Sequence, residues 1–392
     1  MASDAQIWPF GGAGEVYWQA EWLTDVLQPS AGLAQHRRLR AHPRVRVGFD
    51  GLVSGAARRW LENLLERNGG RLWRVPLPGV GFSLAAPAPA GSLTLSGVAA
   101  GTFVSAGMQV AVVPEDPRLA EVVTVDEVLA DGVTLVSATV NAHVTGAKVL
   151  PLFEGRLSSV PVLSRFTADA APWGAEFDLT TPLPIVADAG ATLYRSWPVL
   201  ELPVVWSADP AWQSHRELVS EDNETGPVWV TDLLGQSRQI IRRSYTATGA
   251  GEVSQLLALL WALAGRGTPV WVHTQGQDLV LAASAGAAAT TLDVQWAGLG
   301  TGPRPPGRRD LRIALRNGTV IRRRVTAVAA PNAATERLTL DAALGTSITP
   351  ADVVQISWMA LCTQAADVVR INWWTHDVAV VDLSFQAVPH EH

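Results

Sequence analysis

Two stretches of the chain place apolar residues at helical spacing. Across residues 56–67 (AARRWLENLLER), Trp60, Leu61, Leu64 and Leu65 share one face, with Arg58, Arg59, Glu62 and Glu66 outside. This spacing predicts an amphipathic helix. Gly69-Gly70 follows as its terminator, because glycine tolerates the left-handed conformation of a helix end. Across residues 253–264 (VSQLLALLWALA), Val253, Leu256, Leu257 and Leu260 form the matching face, and Leu259, Trp261 and Leu263 also cover the far side. A helix apolar all round is buried on all sides. The second helix is therefore expected to pack against another domain or subunit, with Leu259, Trp261 and Leu263 as interface candidates.

The surroundings of the two helices recur. WLTDVL at 22–27 returns as WVTDLL at 229–234, an offset of 207. After each come an arginine-rich strand-like stretch, the helix, a glycine turn and a strand centred on Trp73 (71–75) or Trp271 (268–272). A period near half the chain indicates a tandem duplication, not a solenoid. Small-residue linkers at 85–91 and 282–289 then lead into blocks of short alternating strands, the signature of a small antiparallel barrel or sandwich. The first block predicts strands at 92–96, 109–113, 121–128, 133–139 and 148–152, the second at 291–296, 311–315, 320–327, 337–340 and 353–358. Asp131-Gly132 and Asn317-Gly318 are hairpin signals. Phe177-Asp178-Leu179 matches Val381-Asp382-Leu383 near the ends of the copies. The resulting division is a first domain of 1–84 plus 158–182 interrupted by a β module at 85–157, and a linker at 183–203. A second domain of 204–281 plus 359–389 follows, interrupted by a β module at 282–358.

Composition sharpens this. Charged residues make up 17% of the chain against a usual quarter, and there are 16 Trp but 3 Tyr. Tryptophan is enriched at interfaces, so much of the surface is expected to be covered by other subunits; the plain alternative is two Trp-rich cores. The net charge of −6 argues against nonspecific DNA or membrane binding by the whole chain. Arginine supplies 29 of the 30 basic side chains, Lys148 being the exception, a bias that a GC-rich coding sequence also produces. Cys362 is the single cysteine, in an apolar strand, which leaves no intrachain disulfide and no thiolate zinc site. The N-terminus lacks a secretion signal, and no apolar run reaches membrane-spanning length. The expectation is synthesis in a cytoplasm with no membrane anchor.

The search for chemistry finds no G-x-S-x-G elbow, phosphate-cradling loop, dinucleotide fingerprint or H-E-x-x-H pair. Gly11-Gly12-Ala13-Gly14 precedes a strand-like segment and reads as a turn. The pair His390 and His392 lies in a tail, and Glu15 with Glu21, or Asp367 with Asp382, could pair as acids only on paper. No catalytic, cofactor or metal residue is assigned. Two arginine clusters remain, residues 36–46 with Arg37, Arg40 and Arg44, and residues 304–324 with Arg322 and Arg324. Arginine neutralises phosphate, but no stacking aromatics are interleaved. Ion pairing between subunits is the preferred reading of both.

These residues carry a resemblance. Trp22-x-Thr24-Asp25, then Gly32-x-x-Gln35-x-Arg37, then Leu39-Arg40-x-x-Pro43-Arg44 resemble the opening of tail proteins of long-tailed phages (siphophages) and related gene transfer agents. Thr225-Gly226 before a Trp-x-x-Asp turn, the long helix, Gly265-Arg266-Gly267 and Val270-Trp271-Val272 form the companion pattern. The chain looks most like a distal tail protein or an allied baseplate hub protein. The resemblance implies a mainly β (α+β) fold, a tandem duplication of a tail-tube-like β-sandwich or barrel with one helix, each copy carrying an inserted small antiparallel β-barrel. It implies a virion structural protein and no enzyme, without cofactors, joining the tail tube to the central hub and fibre-bearing parts. The partners would be the chain itself as a ring, the tail tube protein, the tape measure protein and central hub or baseplate proteins, with viral DNA only in transit. Three chains with two tube-like domains each would match a six-fold tube to a three-fold spike, a hexamer of chains being the alternative. A tail-tip cell-wall hydrolase and a glycan- or receptor-binding baseplate protein are the rival readings, the latter through a tryptophan such as Trp296.

Overall fold

Each half of the chain is organised by one long strand that runs straight into a helix. The computed structural model describes residues 6–9, 14–27, 34–159, 161, 163–165, 167–188, 192–202, 204–206, 211–233, 235, 237–300 and 307–388. The first half begins with β1 (Gln6–Ile7), β2 (Val16–Glu21) and the hairpin β3 (Thr24–Leu27) and β4 (Gln35–Arg38). Strand β5 (Arg44–Ser54) enters α1 (Gly55–Asn68), followed by β6 (Trp73–Pro76) and β7 (Phe82–Ser83). Short strands β8 (Thr94–Ser96), β9 (Gln109–Val113), β10 (Glu121–Leu129) and β11 (Gly132–Leu135) precede β12 (Lys148–Leu157) and β13 (Ala170–Leu179). A small hairpin, β14 (Leu193–Tyr194) and β15 (Trp197–Pro198), lies in the connection.

The second half opens with β16 (Ala211–His215) and the hairpin β17 (Leu218–Glu221) and β18 (Trp229–Asp232). Strand β19 (Arg238–Thr248) enters α2 (Gly249–Leu263), followed by β20 (Val270–His273). Strands β21 (Thr291–Gln295), β22 (Asp310–Leu315), β23 (Val320–Asn332) and β24 (Thr335–Leu340) lead to β25 (Val353–Gln364), β26 (Val368–Thr375) and β27 (Val378–Ala387). Strand occupies 49% of the chain and helix 10%, so the protein is mainly β. Gly11, Gly12, Ala13, Gly32, Arg304, His390 and His392 lie outside the described residues.

Alternation in the long strands sets the layers. Val45, Val47 and Phe49 of β5 point into the core, while Arg44 and Asp50 stay exposed. Both long strands turn into their helices without a loop. Gly55 and Gly249 make that corner at φ +57 and +74, a conformation glycine adopts at no steric cost. Their N–H groups donate to the carbonyls of Asp169 (3.1 Å) and Asp377 (2.8 Å).

The ladders of the two halves share a register. Val47 faces Trp18 on β2 and Phe177 on β13, and Ile241 faces Trp212 on β16 and Phe385 on β27. Residue numbers shift by 194 up to the helix (241 − 47 and 212 − 18) and by 208 at the closing strand (385 − 177). The hairpins obey the first shift, Thr24 facing Arg38 and Leu218 facing Asp232. Three expected matches therefore move. WLTDVL lies on the first arm of its hairpin and Trp229–Asp232 forms the second arm of the other, so the two motifs occupy different places. The matched pairs are instead Trp18-Gln19 and Trp212-Gln213. Phe177 corresponds to Phe385, four residues beyond Val381. Trp73 corresponds to Val270, because Gly155 faces Trp73 and Leu179 as Cys362 faces Val270 and Ala387. A one-residue displacement turns a side chain to the other face. Trp73 accordingly fills the large core, while Trp271 packs with Val199, Met359 and Leu361.

One core serves both halves. Strand β26 bonds to β27 on one side and to β2 on the other, from Val16 opposite Trp373 to Glu21 opposite Val368. A continuous sheet β16-β19-β27-β26-β2-β5-β13 results. At the seam Trp18 meets Trp373 (ring centroids 5.0 Å apart) and Trp22 meets Trp261 edge-on (5.4 Å). Separate clusters lie around Phe82, Leu95, Val110 and Val133, and around Leu292, Ile313, Leu338 and Ile356. Leu259, Trp261 and Leu263 are all buried. Their cover comes from within the chain: Trp22 of the first half, and the connection, whose Asp188 N donates to Ala258 O (3.1 Å). Helix α1 keeps a polar outer face with Arg59, Asn63, Glu66 and Arg67 exposed.

Two local expectations also change. Gly69 is right-handed (φ −46), and the left-handed helix end occurs instead on α2, at Ala264 and Gly265. Gly132 pairs with Leu129 inside the ladder, so Ala130 and Asp131 form the turn between β10 and β11.

Candidate functional site

The face of the seven-strand sheet turned away from the helices is polar at its centre, with Leu52, Val368 and Trp374 exposed towards the strand ends. Register places Arg242 and Ser244 of β19, Asp382 of β27, Arg370 of β26, Tyr17 and Gln19 of β2, Arg46 of β5, and Glu176 and Asp178 of β13 on this face. Its centre is a network that fixes the charges. The Tyr17 hydroxyl donates to Glu176, and the Arg370 guanidinium stacks 3.7 Å above the Tyr17 ring. Burial, aided by the Glu176 carboxylate, pushes the Tyr17 hydroxyl up to about 12, so it remains a donor. Arg46 donates to Asp178 (2.9 Å) and lies 3.6 Å from Glu176. Gly48 makes room for this arrangement, since a Cβ there would sit 2.1 Å from the Tyr17 ring. A depression of about 290 Å³, lined by Gln19, Glu21, Arg44, Val45, Arg46, Asp178 and Leu179, opens beside it.

The arginines singled out from sequence are mostly occupied within their own chain. Arg40 pairs with Glu21 (3.2 Å), and Arg44 is exposed opposite Glu21 at the rim of the depression. Arg37 is exposed on β4 opposite Asp25. Arg322 and Arg312 both grip Glu201 from the connection, Arg312 at 2.7 Å. Burial works to raise the Glu201 carboxyl, but the hydrogen bonds from Arg312 and Arg322 outweigh it and hold it below its ordinary value. Arg324 donates twice to the buried carboxylate of Asp310 (3.0 and 2.8 Å), which also accepts from the Tyr194 hydroxyl (2.6 Å). Pairing between subunits is thus replaced by pairing within the chain for Arg40, Arg322 and Arg324. Asp367 and Asp382 are likewise engaged separately, Asp367 with Thr24 and Arg266 and Asp382 with Ser244.

Sequence reading missed a cluster that joins the two halves around the one lysine. Lys148 Nζ lies 2.9 Å from Ser83 Oγ and 3.1 Å from His376 Nδ1, and His376 Nε2 lies 3.1 Å from Ser83 Oγ. A serine, a lysine and a histidine at these distances could activate a nucleophile. A protonated Lys148 donating to Nδ1 leaves the imidazole hydrogen on Nε2, which then donates to Ser83. The hydroxyl becomes an acceptor, and the cluster works as a polar bridge between β7, β12 and the β26–β27 turn.

Among the described residues no group of three metal-ligating side chains converges, and no helix is long and apolar enough to cross a membrane. The chain matches no family model and no curated protein. The exposed surface comprises the sheet face with its polar centre, Trp296 on the 282–358 region, Trp212 on the β16 edge, and Trp229 and Val230 on the two faces of the β17–β18 hairpin.

His273 carries a pH dependence. It is buried on β20, and burial first, then the positive field of Arg312, pushes it down to about 4 from 6.5. As pH falls below about 6.5 the unfolded chain takes up the proton before the folded one does, so stability declines until about pH 4. Between pH 7 and pH 5 the expected loss from this residue is about 2 kcal/mol. Denaturant titrations of wild type and His273→Gln should show a correspondingly flatter pH dependence in the variant; equal slopes would remove His273 as the cause.

Proposed function

We propose that this chain is a structural ring component of a phage tail tip, a distal tail or baseplate protein that connects the tail tube to the central hub and continues the DNA channel. The observation that carries this reading is the seven-strand sheet: helices cover one face, and the centre of the other is polar, with its charges paired side by side. A centre of that kind offers DNA in transit neither a continuous cationic surface to hold it nor an apolar one to trap it. The matched registers support reading the halves as tandem tube-like copies, with 85–157 and 282–358 as inserted β modules. Two copies per chain allow three chains to present pseudo-six-fold symmetry to a tube and three-fold symmetry to a hub. The tail tube, tape measure and hub proteins are the partners in this reading.

A cryo-EM map of the tail tip tests it. Three chains around the channel with Tyr17, Arg46 and Arg370 facing the lumen are expected. A six-fold ring with one chain per sector would replace the trimer by the hexamer. A map with the polar sheet face turned outward, or peptidoglycan clearing by the purified chain, would overturn the structural reading. Exposure of Trp296 favours a second role in glycan or receptor binding by the 282–358 module; glycan-array binding that survives Trp296→Ala would remove it.

A further inference from the structure

The edge at β16 is a half-built copy of the seam that joins the two halves. Strand β2 is bonded on both sides, by β5 and by β26, and its Trp18 is 1% exposed against Trp373. Its counterpart β16 is bonded by β19 alone among the described residues, and all five of its residues are exposed, with Trp212 at 44%. The hairpins differ in the same way. Hairpin β3–β4 sits on the C-terminal end of α2: Arg38 donates to Ala262 O (3.2 Å) and to Thr268, and its side chain lies against Gly267. Hairpin β17–β18 is exposed along both arms, with Leu218 and Val230 open on the face that carries Asp232 and Trp229 open on the other. An edge strand bonded on one side that exposes a tryptophan, beside a hairpin with open apolar side chains, is an interaction surface.

We propose that a second copy of this chain occupies that edge, so that β16 and hairpin β17–β18 of one protomer dock over the C-terminal end of α1 in the next. The register identifies the receiving residues. Asn68 is the counterpart of Ala262 (262 − 194), and Gly70 and Arg71 are the counterparts of Gly267 and Thr268 (267 − 197 and 268 − 197, the shift of β6 to β20). Helix α1 packs on β5 and β13, at the opposite end of the sheet from β16, so one chain cannot satisfy both surfaces. Asp232, paired with Arg216 in its own chain (2.6 Å), is the counterpart of Arg38, and its second carboxylate oxygen would face Arg71. The Trp22–Trp261 contact is not reproduced, its counterparts being Arg216 and Arg67. The joint between chains is therefore more polar than the internal one, as suits two surfaces that fold before they meet.

This rests on the ring reading above, and the test separates the two. The double variant Gly70→Cys/Asp232→Cys places thiols where Gly267 and Arg38 touch in the seam. A Cβ at Gly70 meets nothing within 4 Å, and the native Cys362 is buried, so background cross-linking is low. Under oxidation the full chain should give covalent multimers on a non-reducing gel, while each single variant stays at monomer mass. Trp212→Glu should weaken self-association, read by light scattering, by roughly 30-fold, with the melting temperature held. A wild-type multimer whose double variant never cross-links would overturn this joint and leave the ring standing. A wild type monomeric at every concentration, with no cross-link, would overturn both.

Discussion

Trp8→Ala should lower the unfolding free energy by about 4 kcal/mol, at the upper end for large-to-small core substitutions. Trp8 is fully buried just after β1, which pairs parallel with β6, and its backbone N–H donates to Arg74 O (2.8 Å). Its indole is the hub of an aromatic group: Phe177 at 5.0 Å, Trp173 at 5.4 Å, Trp73 at 5.5 Å and Phe49 at 6.4 Å between ring centroids. Those rings come from β5, β6 and β13, strands held by their own ladders, so they cannot collapse into the space that alanine leaves. Urea titration should show the midpoint fall with the slope unchanged, and Trp8→Phe should recover more than half of the loss. A loss below about 1 kcal/mol would mean that the N-terminal segment is not part of the core.

Asp367→Ala should cost about 3 kcal/mol, because one carboxylate satisfies three donors from two halves. It accepts from Thr24 N (2.7 Å), Thr24 Oγ1 (2.9 Å) and Arg266 N (2.9 Å), while its own carbonyl accepts from Trp22 N (2.9 Å). Gly265 lets it approach, since a Cβ there would lie 2.5 Å from the carboxylate. Removing the carboxylate leaves two backbone N–H groups at the end of α2 and the start of β3 without their acceptor. Thr24→Ala, which removes only the hydroxyl, should cost about 1 kcal/mol. Hydrogen exchange should localise the damage: faster exchange in β3–β4 and at the end of α2, with the 282–358 region unchanged. Uniform acceleration across the chain would contradict a local clamp.

How far the sequence was legible follows from where the information lay. Periodicity placed α1 within a residue at each end, since Trp60, Leu61, Leu64 and Leu65 can share a face only as a helix. It also found β22, whose alternation is local, and β9, a short apolar run of strand length. Register between distant strands was not legible in the same way. The Trp-x-Thr-Asp recurrence is a short motif on opposite arms of two hairpins, whereas the structural match, Trp18-Gln19 with Trp212-Gln213, is only two residues long. The partners of the arginines were invisible because they come from elsewhere in the chain: Glu201 lies in the connection, and Asp310 faces Arg324 only once β22 and β23 pair. All-round hydrophobicity identified α2 as buried, but nothing local distinguishes cover by a neighbouring half from cover by a neighbouring molecule.

The closing of the seam by β26 also has a consequence for the order of synthesis. Thr24 and Asp367 are 343 residues apart in the chain. At a synthesis rate of roughly 5–20 residues per second, the first half waits tens of seconds for the strand that covers it. During that interval the edge of β2 and the face of Trp18 stand open on the nascent chain, as β16 and Trp212 do on the finished one. A ribosome-bound first half should therefore recruit chaperones that protect hydrophobic strand edges, and release from them should coincide with the emergence of residues 368–375.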